Sequence, residues 1–112
     1  MFLWFSSRVL RWKIFLICRG ARRIVRTKGI GCWAWWFGAY YINPKHLVVV
    51  LAVPSDSDRD RLRTDSGIVP ELRHLLQRFR WPGAAQPHVV FDIESEETVK
   101  RGNNGNWWYH YK

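Results

Sequence analysis

The residues in this chain most suited to chemistry are acidic and close together. Asp92 and Glu94 alternate with apolar neighbours in Val90-Phe91-Asp92-Ile93-Glu94. On a strand that spacing puts both carboxylates on one face, with Cα atoms roughly 7 Å apart. Glu96, Glu97 and Lys100 follow. Paired carboxylates beside a lysine are the ingredients of magnesium-assisted phosphodiester hydrolysis. The run Glu97-Thr98-Val99-Lys100 does not match an E-x-K spacing, however, so a small metal-dependent hydrolase is the third-ranked expectation and no catalytic residue is assigned. An acidic wet face that receives a basic partner ranks higher.

Other constellations fall short of a site. Asp56, Asp58 and Asp60 open like a calcium loop, but Arg61 stands where the loop needs glycine and Gly67 where it needs the distal glutamate. Of the four histidines, none has a second histidine or a cysteine at metal-ligand spacing. His88 and His110 would approach each other beside Asp92 only if their segments paired as strands. No glycine-rich phosphate loop precedes a helix, and no nucleophile elbow occurs. No metal and no cofactor is expected. Cys18 and Cys32 are too few for a disulfide framework, and reduced thiols in a cytoplasmic protein are the simplest reading.

Charge divides the chain. The net charge is +9, yet residues 1–30 hold Arg8, Arg11, Lys13, Arg19, Arg22, Arg23, Arg26 and Lys28 with no acid, which leaves the remainder almost neutral. On a helix, Leu3, Leu10, Ile14, Ile17, Ala21 and Ile24 share one side, and Arg8, Arg11, Arg19, Arg22 and Arg26 the other. Phe2, Trp4, Phe5 and Trp12 do not follow the stripe. Gly29 and Gly31 end this helix. Its apolar runs are far too short to span a bilayer, and its charges interrupt any secretory signal. Acid-free arginine-rich amphipaths bind anionic membranes or nucleic acid, and they also pack on sheets with their arginines in water.

The elements that must position these groups are organised around Leu47–Val53. Seven apolar residues without alternation, followed by Pro54, indicate a strand covered on both faces. An aromatic segment, 33–42, forms a hairpin with it through Asn43-Pro44-Lys45-His46. Ser55 or Asp56 caps a short, charged helix. Ile68, Leu72, Leu75, Leu76 and Phe79 mark a helix over 69–80, stopped by Trp81-Pro82-Gly83. The 88–94 strand lies parallel to 47–53 after this helical crossover. A short helix is expected over 95–101, and Trp107–Tyr111 is expected as a last strand.

These readings give an α+β fold. It is a single four-stranded mixed sheet with the 69–80 helix on one face and an amphipathic basic N-terminal helix. The division is a basic arm, 1–30, and a small domain, 31–112. The leading functional expectation is a small, non-catalytic, intracellular protein-binding module, with Asp92, Glu94, Glu96, Glu97, Trp107, Trp108 and Tyr109 as its contact surface. Immunity proteins and antitoxins offer an analogy in size and surface only. The runner-up is binding of nucleic acid or an anionic membrane through Arg8, Arg11, Arg19, Arg22 and Arg26. A homodimer is a further possibility.

Overall fold

The computed structural model describes residues 7–111. The fold is mixed α and β, with five helices and a three-stranded sheet. The first helix, α1 (Ser7–Thr27), buries Leu10, Ile14, Ile17, Cys18, Ala21 and Val25, and half-buries Ile24. Leu3 and the aromatic residues Phe2, Trp4 and Phe5 lie outside the described residues. The buried stripe of α1 belongs to the same core as the sheet. Burying each Leu, Ile or Val side chain is worth roughly 1.5–3 kcal/mol, so α1 is an integral part of the fold.

The sheet has β2 (Val48–Val53) at its centre, between β1 (Trp33–Phe37) and β3 (Val90–Ser95). β1 is antiparallel to β2, and β3 is parallel to it. Position 38 ends β1 well short of the expected 42. Gly38 has φ +104°, and a Cβ there would sit 1.9 Å from the backbone oxygen of His46. Only glycine fits such a conformation and such a contact. The chain then turns through Tyr40 and a single 3-10 turn, Pro44–His46, before re-entering the sheet.

Two α-helices connect β2 to β3. In α2 (Asp56–Arg63) the Ser55 hydroxyl accepts the Asp58 N–H at 3.1 Å. In α3 (Ile68–Arg78) Ile68, Leu72, Leu75 and Leu76 are buried. α3 packs closely on α1 at Gly20, where an added Cβ would come within 2.7 Å of Leu75 Cδ2. After β3 comes α4 (Glu96–Asn103), capped by Ser95, whose hydroxyl accepts the Thr98 N–H at 3.0 Å.

The expected fourth strand is absent. Residues Trp107–His110 form a short helix, α5. Asn104 and Gly105 are both left-handed, at φ +53° and +78°, and reverse the chain after α4. The Asn106 side chain then accepts the Tyr109 N–H at 3.2 Å, as a helix cap does. These local bonds outweigh the strand preference of aromatic residues, which is a weak and context-dependent bias.

The ladder sorts side chains onto two faces. Trp33, Trp35 and Phe37 stand opposite Ala52, Val50 and Val48, and Val50 and Ala52 stand beside Asp92 and Glu94. The other face carries Val49, Leu51 and Val53, which join the stripes of α1 and α3, with Trp81 and Tyr40, in one mainly aliphatic core.

Candidate functional site

Two surfaces contain the residues singled out by sequence. The first is the carboxylate face of the sheet. Glu94 is only 8% exposed. Arg59 Nη1 donates to its Oε1 at 2.9 Å, the Ser95 N–H donates to the same oxygen at 2.9 Å, and His110 Nε2 lies 2.9 Å from Oε2. Burial pushes the Glu94 carboxyl up, but the Ser95 N–H, Arg59, His110 and nearby Arg63 outweigh it and hold the group below its ordinary value. Asp92 accepts the Tyr111 hydroxyl at 2.5 Å and lies 3.7 Å from Arg63. Burial, then Asp92, push the Tyr111 phenol far above its usual value.

The remaining acids extend the same network. Asp56 accepts from the hydroxyls of Ser95 and Thr98 and pairs with Arg101 at 2.9 Å. The Ser95 and Thr98 hydroxyls, followed by Arg101, hold its carboxyl well below the usual range. Glu97 accepts the Asp56 N–H at 2.7 Å, and Glu96 is exposed in the first turn of α4. Arg63 also donates twice to the Ile93 carbonyl, at 2.6 and 3.1 Å, on the outer edge of β3. Chemically this network is a latch: it ties α2, β3, α4 and α5 together with Asp56, Asp92, Glu94 and Glu97 already bonded. His110 does reach the acidic pair, but from a helix and without His88, which sits in the exposed turn Gln86–His88.

Beside the latch, Trp33, Trp35, Phe37, Trp107 and Tyr111 pack ring against ring, with centroids 5.3–6.4 Å apart. With Trp108 they line a cavity of about 330 Å³ that neither carboxylate reaches. Trp108 and Tyr109 are exposed. Among the described residues, no group of three or more His, Cys, Asp or Glu is placed to hold a metal ion.

The second surface is the outer side of α1. Arg8, Arg11, Arg19, Arg23 and Arg26 are exposed and Arg22 is half-buried. Among the described residues, no carboxylate lies within ion-pair distance of any of them. Between these arginines stand Trp12 and Phe15, 61% and 48% exposed, stacked with centroids 5.5 Å apart at 18°. Trp12 departs from the apolar stripe in the sequence; that departure is the signal of an outward-facing aromatic. Where α1 meets α3 a cleft of about 740 Å³ opens, lined by Arg19, Arg23 and Arg78 and by the apolar side chains of Leu16, Ile24 and Phe79.

No protein-family model, curated protein or solved structure matches this chain. Function is therefore read from the two surfaces themselves.

The two cysteines are free and buried. Burial pushes the Cys18 thiol up to about 12 and the Cys32 thiol up to about 11, against the pull of Arg22 and Arg26 respectively. Such thiols are poor nucleophiles. Among the described residues, no helix is long and apolar enough to cross a membrane.

Proposed function

We propose that this protein is a non-catalytic module that docks on anionic membrane surfaces through the outer face of α1. The observation that carries the reading is the stacked Trp12–Phe15 pair, held outward among arginines that have no carboxylate partner among the described residues. Guanidinium groups supply attraction to anionic headgroups, roughly 1 kcal/mol for each that reaches the surface. Indole and phenyl rings supply burial at the headgroup–acyl boundary, where aromatic side chains partition well. The opposite side of α1 is fixed in the core, so the helix presents this face without first having to fold.

The sequence before α1, Met1-Phe2-Leu3-Trp4-Phe5, adds apolar residues at the same end of the chain as Trp12. A protein partner on the 92–97 and 107–109 surface is less well supported. Glu94 and Asp92 already spend their charge on Arg59, Arg63, His110 and Tyr111.

The test is vesicle co-sedimentation. The full chain should pellet with phosphatidylcholine vesicles containing phosphatidylglycerol, should not pellet with phosphatidylcholine alone, and should be released by salt. Trp12→Ala should weaken binding roughly tenfold or more, the loss expected for unburying one large aromatic side chain. Failure to pellet with anionic vesicles at low salt overturns the proposal. So does tighter binding to a DNA oligonucleotide with no effect of Trp12→Ala, which would assign the arginines to nucleic acid.

A further inference from the structure

We infer that the cleft between α1 and α3 is a binding site for the phosphate head of an anionic phospholipid. This rests on the membrane-docking reading and adds a discrete lipid site to it. At the cleft, Gly20 lets α1 approach α3 closely, with Leu75 filling the space that a side chain would take. Beside that crossing, Arg19 and Arg23 project from α1 and Arg78 from the last turn of α3, and all three are exposed. His74 also lines the cleft. The single acid there, Glu71, lies 3.8 Å from Lys28 Nζ, so its charge is partly offset.

Three guanidinium groups around one space suit a phosphate, because each can give two parallel N–H donors to its oxygens. The rest of the lining argues for a lipid. Leu16, Ile24 and Phe79 form an apolar wall, half-buried and otherwise facing solvent. Free phosphate would leave that wall unused, whereas a glycerol backbone and its first methylenes would cover it. Arg78 already lies over the Phe79 ring, 5.4 Å from its centroid, which orients the guanidinium at the boundary between polar and apolar lining. Leu16, in the cleft lining, is one helical turn from Trp12, so the apolar wall lies next to the residues proposed to enter the bilayer.

The decisive experiment titrates the full chain with dihexanoyl phosphatidic acid below its micelle concentration while following backbone amides by NMR. Saturable shifts centred on Arg19, Gly20, Arg78 and Phe79 are expected. Arg78→Gln should weaken this binding roughly fivefold, the loss of one guanidinium–phosphate contact, while its sedimentation with anionic vesicles stays close to wild type. Arg23→Gln, on the other wall, should weaken the lipid-head binding to a similar degree and, as one of the docking arginines, should also weaken vesicle binding; an unchanged thermal midpoint certifies both variants as folded. Vesicle binding without saturable shifts at these amides overturns the lipid site and leaves the surface reading standing. Loss of both overturns both. Inorganic phosphate binding as tightly as the lipid, or displacement of the lipid by an oligonucleotide, also overturns the site.

Discussion

The two faces of β2 solve the same problem with different materials. On one face Val49, Leu51 and Val53 share a hydrophobic core with the stripes of α1 and α3, a core with little hydrogen bonding to arrange beyond the Trp81 indole on the Pro44 carbonyl. On the other, Val50 and Ala52 are flanked by Trp35 and Trp33 on β1 and by Asp92 and Glu94 on β3. That face is closed by a short helix, α5, which the Tyr111 and His110 bonds fasten to the two acids. Aliphatic packing tolerates any partner of the right shape. The aromatic and acidic face depends on specific partners for its carboxylates, since a buried group left unpaired costs about 1–3 kcal/mol.

The largest expected effect is therefore on the aliphatic face. Leu51→Ala should destabilise the protein by about 2–5 kcal/mol, because the side chain is fully buried in the middle of the central strand and its neighbours collapse only in part. Urea denaturation followed by far-ultraviolet circular dichroism measures it. A loss under about 1 kcal/mol would mean that the aliphatic face carries less of the fold than its burial implies.

Glu94→Gln probes the other face. It keeps the size but removes the charge that Arg59 and His110 face, and a loss of about 1.5–3 kcal/mol is expected. Acid should act in the same direction. Glu94 and Asp56 both sit below their ordinary values of 4.5 and 3.8. A depressed carboxyl contributes stability above its unfolded value and loses that contribution as pH falls through the folded one. The wild type should therefore weaken on acidification below about pH 4.5, and Glu94→Gln should weaken less over the same range. Equal acid sensitivity in both would show that Glu94 is not part of the acid-labile latch.

These faces were not equally legible in the sequence. The unbroken Leu47–Val53 run identified the central strand, and the stripe Leu10, Ile14, Ile17 and Ala21 identified the buried side of α1, because periodicity reports burial directly. The second face depends on contacts between residues far apart in the chain. Arg59 lies 3.5 Å from Asp56, three positions earlier, yet its guanidinium also reaches Glu94, 35 positions away. Trp107–Tyr111 reads as a strand because aromatic residues favour sheets, and only the Asn106 cap and the turn at 104–105 reveal the helix. Neither Arg23 nor Arg78 stands out as a site residue, since the cleft they share is lined by two helices far apart in the chain, α1 and α3. The outward Trp12 is the exception: its departure from the apolar stripe is visible without coordinates.

The smallest expected effect is the sharpest comparison. Trp35 lies at the centre of the aromatic face, opposite Val50, with its ring against Trp107 and Tyr111. Its Nε1–H is buried with no hydrogen-bond partner among the described residues. Truncating a packed aromatic side chain to alanine usually costs about 3–5 kcal/mol, and Trp→Phe removes only part of that volume. Trp35→Phe should change stability by less than about 1 kcal/mol, because relief of the unpaired donor offsets the lost volume. Trp33→Phe supplies the control: that ring is more exposed and is not buried with an orphaned donor, so the same truncation brings no such relief. If Trp35→Phe instead costs several kcal/mol, the indole nitrogen is satisfied in solution, and the aromatic face is as fully bonded as the aliphatic face is packed.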